Sequence, residues 1–161
     1  IDMDSEGSLK AAGREHEAIA TFGLCGCTAV AVVLENLGNS AERIGIVAHY
    51  SPLAIGAQQY NRLRLILRQH WTDGWKASAY IVTPGRYGTH PETGVPYSML
   101  PKDEQVVNLF SSILRVDLPG LREVSVHAYS EMREAGATEQ GTVVIRFNPD
   151  DVCVFIEGVQ A

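Results

Sequence analysis

Apolar positions along the chain fall into two kinds of run. Residues 28–35 (TAVAVVLE) and 44–51 (IGIVAHYS) are almost continuously apolar and rich in β-branched side chains. That pattern predicts strands covered on both faces. Residues 16–22 (HEAIATF), 76–84 (KASAYIVTP) and 122–132 (REVSVHAYSEM) also read as strands, the last with clear alternation. Residues 142–148 (TVVIRFN) and 152–158 (VCVFIEG) are two more, joined by the turn signal Pro149-Asp150-Asp151. Two stretches carry helical spacing instead. In 55–71, Ile55, Gln59, Leu63, Ile66 and Leu67 share a face and leave Arg62, Arg64 and Arg68 for solvent. In 102–118 the acidic start suits the positive end of a helix dipole. Between the strand at 76–84 and this second helix, residues 85–101 hold three prolines and three glycines. The segment reads as a long functional loop, too broken for a regular element.

Two long helices and six or seven strands with short connections predict an α/β (α+β) sandwich. Its sheet layers are mixed but largely antiparallel, and the two main helices pack on them. A Rossmann fold is disfavoured: the glycines of GLCGC, residues 23–27, lead into a strand, and a phosphate cradle needs them to open a helix. Residues 1–15 are expected to be a flexible N-terminal segment, a cloning remnant or the cut edge of a longer protein, and residues 16–161 a single domain.

Composition narrows the partners. A chain of 161 residues, 45% apolar and 20% charged, can bury a sizeable core without staples. The formal net charge of −6 argues against nucleic acid and anionic membranes. No apolar run approaches the length of a membrane span. The three cysteines, Cys25, Cys27 and Cys153, are too few and odd in number for a disulfide framework, which favours a reducing compartment.

Cys27 stands where a glycine-punctuated turn meets a buried strand. A thiol there could attack a carbonyl while the backbone N–H groups of Gly26 and Cys27 hold the oxyanion. Such a thiol needs a base. His49, on the next strand, is the best placed. Thr21, six residues before Cys27, could hydrogen-bond the far imidazole nitrogen and set its tautomer.

These residues resemble the superfamily of CheD chemotaxis deamidases and cytotoxic necrotizing factors. Leu24-Cys25-Gly26-Cys27 matches the toxins' Leu-x-Gly-Cys motif. TFGLCGC keeps Thr21, Gly23, Leu24 and Cys27 of the chemotaxis members' Thr-x-Gly-Leu-Gly-Ser-Cys run. The segment IGIVAHYSPL follows their GGMAHFMLP around His49. The likeness spans residues 19–53; beyond it only the order of elements agrees. Cys25 replaces a small residue of the family pattern, IVTPGRYG stands where the chemotaxis members carry Gly-Gly-Ala, and the Cys27-to-His49 connection is longer. The toxin-like branch therefore fits better than the chemoreceptor branch.

The resemblance implies a Cys-dependent protein glutamine deamidase, a hydrolase that turns a glutamine of a target protein into glutamate and releases ammonia. Cys27 would be the nucleophile, His49 the base and Thr21 its orienting partner, with no cofactor or metal. The enzyme would be a monomer acting in a reducing cytoplasm, or secreted and acting in a host cytosol. Tyr50 and Ser51 after His49, and Tyr87 and His90 in the 85–101 segment, are the residues expected to rim the substrate cleft.

Plainer readings stand beside this one. Cys27 could be a small buried hydrophobe and His49 a satisfied core histidine. Cys25 and Cys27 could bind metal, but His16, His70, His90, His127 and Cys153 add no ligand spacing. Cys25 could pair with Cys27 under oxidation. A chemoreceptor-type deamidase, a transglutaminase and a non-catalytic protein-binding module on the same fold remain as alternatives.

Overall fold

The structure, a computed structural model, describes residues 1–11, 17–36, 38, 42–52, 56–89, 92–94, 96–131 and 140–161. Among these the chain order is β1 (Ser5–Ala11), β2 (Glu17–Thr21), β3 (Thr28–Asn36), β4 (Arg43–Tyr50), α1 (Ala57–His70), β5 (Trp75–Thr89), β6 (Pro96–Pro101), α2 (Glu104–Asp117), β7 (Leu121–Tyr129), β8 (Val143–Phe147), β9 (Val152–Ile156) and β10 (Val159–Gln160). The strands form a six-stranded sheet, ordered β1-β4-β3-β5-β6 with β7 also on β5, and a four-stranded sheet ordered β10-β9-β8-β2. Every pairing is antiparallel except the parallel β5–β7 pair. The α/β sandwich expected from the sequence is thus the observed architecture.

The continuous apolar runs follow from the layering. Even-numbered residues of β3 and β4, among them Val30, Val32, Leu34 and Ile46, pack with Leu63 and Leu67 of α1 and Phe110 and Leu114 of α2. Odd-numbered residues, Ala29, Ala31, Val33 and Val47, pack with Ile19, Val143, Ile145 and Phe147 of the smaller sheet. Full burial of each large aliphatic or aromatic side chain is worth roughly 1.5–3 kcal/mol. Gly45 allows the sheets to close, because a Cβ there would lie 2.9 Å from Phe147 Cζ and 3.0 Å from Ile19 Cγ2. The start of α2 is capped by Asp103, whose carboxylate accepts from the N–H groups of Gln105 and Val106 at 2.9 and 3.2 Å.

Four expectations change. The opening residues are not an appendage: β1 pairs along the whole of β4, from Ser5 opposite His49 to Ala11 opposite Arg43. The strand count rises to ten among the described residues. The broken 85–101 segment is largely a hairpin, with Gly85 opposite Pro101 and Tyr87 opposite Met99. Pro84 is tolerated inside β5 because pairing with β3 has ended by Val82, so no ladder bond to β3 is lost. Arg64 and Arg68 do not simply face solvent. Both donate to the buried carboxylate of Asp117 at 2.8 Å, which ties α1 to the end of α2.

Candidate active site

Alternation along β4 sends His49 to the face opposite the helices, toward the smaller sheet. There it meets the last residue of β2. Thr21 Oγ1 and His49 Nδ1 are 2.7 Å apart, and both side chains are buried. Thr21 Oγ1 also lies 2.9 Å from the Ile1 carbonyl oxygen, which can only accept. The single hydroxyl proton therefore goes to Ile1, and Thr21 accepts the proton of His49 Nδ1. That assigns the imidazole: Nδ1 carries hydrogen and Nε2 keeps its lone pair. Nε2 is buried with no hydrogen-bond partner among the described residues. Burial holds the His49 pKa below its ordinary value, with the Asp4 carboxylate opposing the shift. The imidazole is thus neutral at neutral pH.

Cys27 shares this face. Ala29 lies directly opposite His49, and Cys27 precedes Ala29 by two residues in the same inter-sheet cluster. Cys27 stands one residue before β3 begins, at the end of the strand pair that carries His49. In the resting structure the thiol is turned toward the Met3 thioether, at 3.8 Å, and makes no bond to Nε2. Only 4% of Cys27 and 3% of His49 are exposed. Burial raises the thiol pKa, and the neighbouring Asp4 and Cys25 add to it, while the Cys25 N–H pulls the other way. Thiol and imidazole are thus both neutral at neutral pH.

The turn before Cys27 is built by its glycines. Gly23 and Gly26 sit at φ 71 and 82, where other residues are strained. The Leu24 N–H donates to the Gly141 carbonyl at 3.0 Å, and the Cys25 N–H to the Gly23 carbonyl at 2.7 Å. Neither of these bonds uses the N–H of Cys27; that of Gly26, the other member of the pair expected to hold an oxyanion, is directed at the Tyr129 hydroxyl oxygen. Tyr129, at the end of β7, donates its hydroxyl to the Cys27 carbonyl at 2.7 Å and fixes the peptide plane that follows the thiol. Sequence reading missed Tyr129. Alternation marks it only as buried, and nothing local connects it to a turn so far away in the chain.

The residues expected to rim the site divide. Tyr50 is a correction: it has no exposed surface, stacks on Phe110 on the helix side of the sheet, and donates to Glu6 Oε1 at 2.6 Å. Consecutive strand residues face opposite ways, so Tyr50 cannot share the face of His49. Ser51 is close by, its N–H and hydroxyl both held by the Asp4 carboxylate at 2.7 and 3.1 Å. Tyr87 is an exposed residue of the β5–β6 hairpin. His90 lies outside the described residues. A cleft of about 300 Å³ opens beside the turn, lined by Gly26, Thr28, Thr83, Lys102 and Glu131 among others, but neither Cys27 nor His49 lines it. Among the described residues no three His, Cys, Asp or Glu side chains converge as metal ligands, so Cys25 and Cys27 gain no third ligand there.

No protein-family model, curated protein or solved structure matches this chain.

Proposed function

We propose that the chain is a thiol-dependent protein glutamine deamidase of the toxin-like kind. The observation that carries this reading is the Thr21–His49 bond, which leaves Nε2 as an unprotonated, unpartnered base on the face that bears Cys27. The motif Leu24-Cys25-Gly26-Cys27 with Thr21 and His49 supports it from the sequence side.

The chemistry runs in two halves. Cys27 Sγ bonds to the carboxamide carbon of a target glutamine while its proton passes to His49 Nε2. The carbonyl oxygen becomes an oxyanion, met by the N–H of Cys27 and by that of Gly26 once it turns from the Tyr129 hydroxyl. His49 then protonates the amide nitrogen, the C–N bond breaks and ammonia leaves. Water, deprotonated by Nε2, attacks the thioester carbon. The C–S bond breaks, the thiolate recovers its proton, and glutamate remains. Thr21 is a positioning residue that keeps Nδ1 protonated throughout.

The test uses unfolded casein as a glutamine-rich probe, with Met3→Ala added to remove the sulfur that covers the thiol. The Met3→Ala protein should release ammonia and convert casein glutamines to glutamate, seen by peptide mass. The Met3→Ala/Cys27→Ser protein should do neither. Equal conversion by both, or none by either, overturns the reading. The deep burial of Cys27 favours a second reading, a protein-binding module that retains the turn without using it. Conversion by Met3→Ala, lost with Cys27→Ser, would eliminate that alternative.

A further inference from the structure

We propose that residues 1–5 occupy the groove that receives the target, with Met3 standing in for the target glutamine on a tight turn. This inference rests on the deamidase reading and specifies its substrate: a surface turn of a folded protein.

Atom counting makes the first argument. In methionine Sδ follows Cβ and Cγ, and in glutamine the carboxamide carbon occupies that same place. Met3 Sδ lies 3.8 Å from Cys27 Sγ. A glutamine in the Met3 position would bring its reacting carbon close to the approach distance of about 3–3.5 Å from which attack proceeds. No other described side chain bonds the thiol sulfur except through the turn itself.

The second argument is how the segment is held. The Ile1 N–H donates to the Ala20 carbonyl, and Ile1 in turn accepts from Thr21. These contacts fix a main chain along residues 20–21 and are largely indifferent to side-chain identity, as strand-addition binding is. Past Met3 the chain turns: the Ser5 hydroxyl donates to the Asp2 carbonyl, and Asp4 sits at φ 58. A positive φ at the third residue is the mark of a turn that favours glycine, asparagine or aspartate there. The Asp4 carboxylate accepts from Ser51 twice, and its carbonyl accepts from Arg62 at 3.3 Å. The groove therefore reads one glutamine followed by a residue at ease in the left-handed conformation.

The third argument is removability. Met3 is 58% exposed while the thiol and imidazole beneath it are almost sealed. Met3 itself lies on the surface, and an incoming turn displaces its side chain at the cost of the Ile1 contact with the inter-sheet core.

The experiment is Met3→Gln, which converts the stand-in into a substrate. Purified M3Q should become glutamate at residue 3, detected by peptide mass, and M3Q/Cys27→Ser should not. Within M3Q, adding Asp4→Val, which resists a positive φ, should slow conversion about tenfold relative to adding Asp4→Gly. If Met3→Ala converts casein while M3Q keeps its glutamine, the stand-in assignment is overturned and the deamidase reading survives. If neither conversion occurs, both fall. Equal rates for the two Asp4 changes overturn the turn requirement.

Discussion

Thr21 Oγ1 and His49 Nδ1 meet at 2.7 Å across the gap between the two sheets, and the Thr21 proton is already committed to Ile1. The imidazole's protonation therefore needs three parts: β2 brings Thr21, β4 brings the ring, and the main-chain carbonyl at the Ile1 position takes the hydroxyl proton. The consequence is measurable without a substrate. Long-range nitrogen NMR of the imidazole should show Nδ1 protonated and Nε2 bare at neutral pH. Thr21→Val should mix the tautomers and lower deamidation by about tenfold, whereas His49→Ala should lose the 10²–10⁴ typical of a general base. An unchanged tautomer in Thr21→Val would remove Thr21 from the positioning role.

The pH dependence of stability has a fixed sign. Burial depresses the His49 pKa below 6.5, and burial does the same to His70 and His127. The unfolded chain then binds protons that the native state refuses, so this contribution is full above 6.5 and is lost as pH falls through the depressed values. The Cys27 thiol has its pKa raised above 9.0, chiefly by burial. Its contribution is full below 9.0 and is lost as pH rises through the folded value. Urea midpoints measured from pH 4 to pH 10 should form a dome. His49→Gln should flatten the acid side, and an acid side as steep as the wild type's would contradict the assignment.

Tyr129→Phe removes the hydroxyl that fixes the Cys27 carbonyl. Leaving that buried acceptor unpaired should cost about 1–3 kcal/mol in urea unfolding. On casein the loss should fall on kcat with KM nearly unchanged, because the tyrosine acts on the nucleophile's turn and not on the bound target. A loss confined to KM would make it a binding residue instead.

Gly26→Ala forces a Cβ onto a residue at φ 82. The left-handed conformation costs an alanine about 1–2 kcal/mol. The added Cβ would lie 3.3 Å from Glu131 Oε1, a half-exposed side chain paired to Lys102, which can shift. The strain therefore falls on the turn. The expected outcome is a melting point a few degrees lower, an intact circular-dichroism spectrum and lost deamidation. Full activity would show that the N–H groups of this turn do not serve the oxyanion.

Much of this was legible because layer geometry writes itself into apolar periodicity. The unbroken runs at 28–35 and 44–51 marked the central strands, and the five residues of β2 lie within the alternating segment 16–22. The meeting of Thr21 and His49 was also legible, since each lies at the end of a strand marked by its apolar pattern. Tyr50 was misplaced although strand alternation alone sends it away from His49. The hairpin at 85–101 was hidden because Pro84 and Gly85 read as breakers, and only the hand-over of β5 from β3 to β6 makes them acceptable. The bond of Tyr129 to the turn and the contact of Met3 with Cys27 were not readable, because both join distant parts of the chain.

The bond from Tyr129 to the Cys27 carbonyl spans 102 residues, and Gly141, which braces the turn at Leu24, comes later still. A chain leaving the ribosome exposes Cys27 first and acquires the groups that shape its turn more than a hundred residues later. Until β7 and the start of β8 have docked, Cys27 belongs to an unbraced loop. A copy that stops short of Tyr129 therefore carries the thiol without the hydroxyl that fixes its turn.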